Sequence, residues 1–213
     1  MDFLISGTGK KAMNVENFNE FPNLPSTHVL DNRIYTNQEI FELEQNDIFQ
    51  SSWLFVCHES ELPKPGCFRT TLAAGKPIVI VRGDDGKIRS FYNICRHRSS
   101  PVVRADTGRA REFQCFYHLW TYNLEGNCTG VTKPDGYKSV KLDKNKLGLI
   151  PIRTDLIAGL VFVCLNGDTD PLCDYLGDII EPIIEPLNSA ELDVFHFHRA
   201  DVQTNWKLWQ DNN

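Results

Sequence analysis

Hydrophobic positions along this chain recur at two different periods, and the change of period divides it. Between Thr36 and Ser52, apolar Ile40, Phe41, Leu43 and Ile48 fall at helical spacing. Thr36 with Glu39 three residues on reads as a capping box, so the pattern predicts a helix from about Thr36 to Ser51-Ser52. From Trp53 the period becomes that of strands. Trp53–Cys57 is a short apolar run, Pro63, Pro65 and Gly66 mark a turn, and Phe68–Leu72, Pro77–Val81 and Lys87–Tyr92 follow as strands. Asp84-Asp85-Gly86 makes the last two a hairpin, and further strands are predicted at 111–115, 120–124, 149–153 and 159–164. Short strands with Gly/Asp turns at this density predict a small all-β domain over residues 53–165.

Flanking stretches read differently. Residues 1–37 read as an irregular arm rich in Asn and Pro, and arm and helix together make up residues 1–52. Its Gly7-Thr8-Gly9-Lys10 is not a phosphate loop, because the required glycine five positions before Gly9 is Leu4. Beyond Asn166-Gly167-Asp168, residues 166–213 begin a further domain. Pro171–Leu187 reads as an amphipathic helix broken at Pro182 and Pro186, and Leu192–Val202 as an alternating strand. That strand puts His196 and His198 on one face, and without a third donor nearby the pair reads as a solvent or domain-interface face. Asn205–Asn213 starts a helix that the chain does not finish, so the chain reads as part of a longer protein.

Composition narrows the class. The 213 residues are 41 % hydrophobic and 23 % charged, ordinary for a globular protein. Lys and Arg number 22 against 28 Asp and Glu, a net charge of −6, and no basic run suggests nucleic acid. No apolar run approaches the ~20 residues of a membrane helix, and the opening Met1–Ile5 is too short for a signal-peptide core, so the expected location is cytoplasmic. Seven cysteines, an odd count in an unexported chain, point to reduced thiols. Cys57, Cys67, Cys128, Cys164 and Cys173 read as small buried hydrophobes.

The other two cysteines carry the chemistry. Cys95-Arg96-His97 and Cys115-Phe116-Tyr117-His118 are separated by residues 98–114, a C-x-H arm and a C-x-x-H arm. Each arm offers one thiolate and one imidazole. That set suits a Rieske [2Fe–2S] centre, with two Cys on one iron and two His on the other. A tetrahedral Cys₂His₂ zinc site would use the same donors, but common zinc patterns pair Cys with Cys and His with His.

Cys95-Arg96-His97-Arg98, Cys115-x-Tyr117-His118-x-Trp120-x-Tyr122, Gly126 and Asn205-Trp206-Lys207-Leu208 together resemble the large (α) subunit of Rieske non-haem iron ring-hydroxylating oxygenases. Glu44 and Phe49, Gly159–Phe162 and Pro171-Leu172 through Asp178 support the likeness, which runs from about residue 33 onward. The resemblance implies a mainly β fold: a Rieske β domain with an N-terminal helix, followed by the start of an α+β catalytic domain. It implies that Cys95, His97, Cys115 and His118 hold the cluster, with His118 as the exit for electrons. It also implies a mononuclear Fe(II) for the full-length protein, bound by two His and one Asp that would follow Asn213, with Asn212 near that iron. This part alone would then carry electron input and hydroxylate nothing.

The implied function is hydroxylation of an aromatic compound with electrons from NAD(P)H, delivered by a ferredoxin or a flavin reductase. The implied assembly is a homotrimer, or an α3β3 complex with a small subunit. The alternatives are a Rieske demethylase, a quaternary-amine monooxygenase, a stand-alone Rieske electron carrier and a zinc-stabilised binding module. The family's usual glycine after the second His is Leu119 here, and its usual proline after the second Cys is Phe116. The disulfide of high-potential Rieske proteins would need cysteines at Ser100 and Tyr117, so a low potential, on the order of −150 mV, is expected.

Overall fold

The computed structural model describes residues 32–137 and 142–211. The glycine-lysine stretch Gly7–Lys10, most of the N-terminal arm, and Asn212 lie outside the described residues. Helices are α1 (Arg33–Thr36), α2 (Gln38–Leu43), α3 (Leu172–Leu176), α4 (Glu181–Asn188) and α5 (Trp206–Asp211). The chain divides into two compact units, one of residues up to Phe41 with those from Val202, the other Glu42–Asp201.

In the smaller unit the helix start differs from the sequence expectation. Asn37, not Thr36, caps α2: its side-chain oxygen accepts from the Ile40 amide at 3.1 Å, while the Thr36 hydroxyl bonds back to the Asn32 carbonyl. Asn37 is the residue with extended backbone, which a cap needs. Asn205 caps α5 by accepting from the Lys207 amide at 3.0 Å, and its amide nitrogen donates to the Tyr35 carbonyl. The Tyr35 hydroxyl then donates to Asp211 at 2.7 Å, so this one residue of α1 holds both ends of α5.

The larger unit opens with a π-type turn over Glu44–Phe49, which carries the predicted helix on to Gln50. Its strands are β1 (Leu54–His58), β2 (Cys67–Ala73), β3 (Lys76–Arg82), β4 (Ile88–Tyr92), β5 (Thr107–Arg109), β6 (Phe113–Gln114), β7 (Thr121–Tyr122), β8 (Cys128–Gly130), β9 (Pro151–Ile157) and β10 (Leu160–Cys164). Seven of them form one antiparallel sheet in the order β1-β10-β9-β4-β3-β2-β5, and β6-β7-β8 form a second. The predicted hairpin is present, with Val81 opposite Arg89. β5 and β8 carry no legible signal: each has three residues, and β5 is exposed throughout.

β3 explains why its apolar run does not alternate. Ile78, Val79, Ile80 and Val81 are all fully buried, because both faces of this strand are covered. Val79 and Val81 join Phe68, Phe91, Phe113, Tyr122 and Leu124 in one core, which binds the small sheet to the large one. Ile78 and Ile80 join Cys57, Leu62, Val161 and Val163 in another. Burial pushes the Cys57 thiol up to about 12, so that cysteine is inert packing. Cys173, by contrast, is exposed, which corrects its reading as a buried hydrophobe.

Two further expectations are corrected. The 171–187 helix breaks at Gly177, in a positive-φ conformation, and not at the prolines. Pro182 lies in the first turn of α4, where its missing N–H is no loss. Residues 191–201 join no strand ladder. They are held instead by side chains: the Val194 amide donates to the Ser60 hydroxyl, Arg199 to the Thr71 hydroxyl, and Arg69 lies 3.8 Å above the Phe197 ring. Among the described residues no helix is long and apolar enough to cross a membrane.

The exit from β10 is pinned by one side chain. The Arg153 guanidinium donates to the carbonyls of Asn166, Gly167, Thr169 and Asp170 and lies 5.0 Å over the Trp53 ring. Trp53 donates its indole N–H to Asp170 at 2.9 Å. Arg153→Ala strips four carbonyls of a charged donor and is expected to cost about 2–3 kcal/mol. Urea unfolding with an unchanged slope and a lower midpoint checks this; an unchanged midpoint would show that the clamp contributes nothing.

Candidate metal centre

Both arms are built on one loop design. The first follows β4, and the second joins β6 to β7. The Cys95 amide donates to the Ser100 carbonyl at 2.8 Å, and the Ser99 amide to the Cys95 carbonyl at 2.9 Å. The Cys115 amide likewise donates to the Trp120 carbonyl, and the Leu119 amide to the Cys115 carbonyl, both at 2.8 Å. In each loop the fifth residue turns left-handed, Ser99 at φ +56° and Leu119 at φ +58°. This left-handed turn is the physical reason a glycine suits position 119, where Leu carries strain of about 1 kcal/mol. Leu119 is half exposed, so little burial offsets that strain. Leu119→Gly is therefore expected to raise the unfolding midpoint by the equivalent of about 0.5–1 kcal/mol, read by thermal denaturation; a lower midpoint would show that the leucine contact matters more.

Asn93, which the sequence reading missed, braces the first loop. Its buried side chain accepts from the amides of Val102 and Val103 and donates to the Val103 carbonyl at 2.7 Å. A polar residue two positions before Cys95 was the available signal.

These loops bring the four predicted donors into two pairs. Cys95 and Cys115 are 2 % and 1 % exposed and lie close enough together for Cys115 to act on the Cys95 thiol. The rings of His97 and His118 lie 4.5 Å apart at 75°. Burial pushes the Cys95 thiol up, the Tyr122 hydroxyl 3.3 Å from its sulfur works against that, and Cys115 adds to it. A bound cation would reverse the balance, since a coordinating thiol deprotonates outright. Burial, with the nearby His118 and Arg98, holds the His97 imidazole below its ordinary range, which favours the neutral form that a metal ligand needs.

Whether these residues suit a [2Fe–2S] group is tested by His97. Its Nε2 faces the Tyr137 hydroxyl at 3.1 Å, whereas its Nδ1 is buried with no hydrogen-bond partner. A buried lone nitrogen beside a second imidazole and two sheltered thiols fits a group that supplies the missing partner. Among the described residues no three His, Cys, Asp or Glu side chains converge on a single ion position. Two donors per metal satisfies that arrangement, while a one-ion Cys₂His₂ site needs four donors around one point. Neither does any set among the described residues, His196 and His198 included, offer a three-donor iron site.

Aromatic rings wall the centre. Trp120, 3 % exposed, stacks on His97 at 4.9 Å and 8°, and the fully buried Tyr122 also accepts from the Arg96 amide at 3.0 Å. Outside, Phe116, Tyr117 and Leu119 are exposed beside His118, with Arg104 4.7 Å over Phe116 and Arg98 5.4 Å over Tyr117. Arg96, Arg98 and Arg104 pair with no carboxylate among the described residues.

Comparison with known proteins agrees with this geometry. Residues 52–141 match the family model of the Rieske [2Fe-2S] domain. The 2-aminobenzenesulfonate 2,3-dioxygenase subunit alpha of Alcaligenes sp is 41 % identical over 192 residues, 90 % of this chain and 49 % of that protein. The methanesulfonate monooxygenase hydroxylase subunit alpha of Methylosulfonomonas methylovora is 37 % identical over 203 residues, again 90 % of this chain and 49 % of the relative. The crystal structure of naphthalene 1,2-dioxygenase from Rhodococcus sp. bound to indole superposes with a TM-score of 0.67 at 34 % identity, over 71 % of this chain and 34 % of that one. The chain thus spans about half the length of the curated relatives it matches. With the paired Cys/His arms at its centre, the chain carries a Rieske [2Fe–2S] domain and, across that domain and its flanks, is homologous to the α subunits of Rieske oxygenases.

Proposed function

We propose that this chain is the electron-accepting part of a ring-hydroxylating oxygenase α subunit, with Cys95, Cys115, His97 and His118 as the cluster ligands. The observation that carries the reading is the two-and-two pairing with the orphaned Nδ1 of His97. When bound, the [2Fe–2S] group takes up one electron and gives it on. The protein residues do the rest. Cys95 and Cys115 sit where water is excluded, Tyr122 holds a hydroxyl against the Cys95 sulfur, and Trp120 covers the inner ring face. His118, at the partly open edge beside exposed Tyr117 and Leu119, is the residue through which electrons leave.

The reading extends to the whole protein. Electrons come from NAD(P)H through a ferredoxin or flavin reductase, and Arg96, Arg98 and Arg104, which pair with no carboxylate among the described residues, favour an acidic carrier. They pass to a mononuclear Fe(II) that activates O₂ to hydroxylate an aromatic compound. Its ligands belong, in this reading, to the part of the relatives' length that this chain does not span. A homotrimer or an α3β3 assembly and a cytoplasmic setting complete it. Monooxygenation of a non-aromatic substrate is the second reading, favoured by the likeness to the methanesulfonate enzyme's subunit.

Purification under anaerobic conditions tests the core of this. A brown protein with two irons and two sulfides per chain, and a rhombic EPR signal after dithionite, is the expected result. A colourless protein with one zinc per chain would overturn it.

A further inference from the structure

The two histidines of the centre are not equivalent. His118 makes no hydrogen bond to a described residue, and the ring of Tyr117 lies against it at 3.9 Å. His97 is fixed on three sides. Trp120 stacks on one face, the Tyr137 ring stands edge-on at 6.3 Å and 80°, and the Tyr137 hydroxyl lies 3.1 Å from Nε2. Tyr137 closes the short 3₁₀ turn Pro134–Tyr137 and packs against the core that holds both cysteines. Forty positions separate it from His97, so no local spacing announces the contact.

We propose that Tyr137 is a positioning residue for His97: its hydroxyl oxygen takes the hydrogen bond of the Nε2–H, fixes which ring nitrogen faces the cluster, and lowers the cluster's reduction potential. This rests on the function proposed above. An imidazole that ligates through Nδ1 keeps its proton on Nε2, and that N–H needs an acceptor. Tyr137 is the acceptor the fold supplies. A flipped ring would turn a carbon towards the Tyr137 hydroxyl, so this bond together with the Trp120 stack selects one orientation. Accepting from Nε2–H also raises the electron density and basicity of the ligating nitrogen, which favours the more positive, oxidised metal. The phenol thus acts on the cluster only through His97.

Redox titration followed by EPR at neutral pH tests this. Tyr137→Phe keeps the ring and removes the acceptor, and is expected to shift the reduction equilibrium about two- to fivefold towards the reduced form, the worth of a part or the whole of one hydrogen bond. Site-specific 3-fluorotyrosine at position 137 keeps the hydroxyl but makes it a weaker acceptor, and is expected to shift the equilibrium the same way by less. This second protein decides the matter if Tyr137→Phe loads no cluster. A brown protein whose potential is unmoved, or moves to the oxidised side, overturns this proposal alone. A colourless wild-type protein overturns the function proposed above and this inference with it.

Discussion

Cys115→Ser is expected to yield a colourless protein whose iron and sulfide fall from two of each per chain to background. Cys115 is 1 % exposed at the head of its loop, with its amide and its carbonyl both committed to holding that loop closed. Its sulfur therefore has one place to be, beside Cys95. A serine hydroxyl there would have to ionise in the same buried setting, far from its ordinary range, and offers a hard oxygen where a thiolate is needed. Because a metal centre bound only by the folded chain adds its binding free energy to stability, the variant should also unfold several kcal/mol more easily than the loaded protein. Cys173→Ser is the matched control: the same change at an exposed thiol leaves iron content as it was. Full iron and sulfide in the purified Cys115→Ser protein would remove Cys115 from the ligand set.

The second large effect lies one layer behind the centre. Gly126 stands at φ +85°, in the left-handed region, and a Cβ there would run into the ring of Phe91. Phe91 is 3 % exposed and belongs to the core that carries both cysteines, so the ring has no free space to move into. The Gly126 carbonyl also accepts from the Leu149 amide at 2.8 Å, which ties the turn after β7 to the approach to β9. Gly126→Ala combines backbone strain with overpacking, each worth about 1–3 kcal/mol. Their sum of about 3 kcal/mol or more should lower the melting temperature by roughly 6–12 °C. Calorimetry of the loaded protein reads this, and a melting point within a degree of wild type would show that the turn relaxes freely. Phe91→Leu should restore part of the loss in the double variant, because it removes the ring that the added methyl meets.

Reading the cluster arms required only local information. A Cys and a His one or two residues apart on a short loop can reach one site, and the mixing of the two types in each arm favours a Rieske centre over common zinc patterns. The same is true of the β3–β4 hairpin, where Asp84-Asp85-Gly86 sits between two apolar runs and local turn chemistry dictates the pairing. Where two local rules competed, the sequence misled. Thr36 and Asn37 both suit a cap, and the residue whose backbone was extended took the role. Pro182 and Pro186 looked like breaks, yet Pro182 lies in a first helical turn, where it is harmless, Pro186 sits inside the helix without ending it, and Gly177 made the break. Residues 192–202 alternate as a strand does, but a strand needs a neighbour with free backbone groups. Side chains of Ser60, Thr71 and Arg69 hold this segment instead.

What the sequence by itself determined is the grouping of two Cys and two His, the donors proposed above, in two short arms and the β character of the domain around them, because each of these rests on neighbours within a few residues. Only the tertiary structure decided what surrounds the donors. The phenol of Tyr122 on Cys95, the Trp120 stack on His97 and the Tyr137 hydroxyl on His97 all join sequence-distant segments. Their contacts exist because burial of the Phe68–Leu149 core brings β3, β4 and the small sheet together, and hydrophobic burial is proportional to area without regard to which atoms end up touching. The polar partners of the centre are therefore set by how that core closes, which no periodicity along the chain encodes.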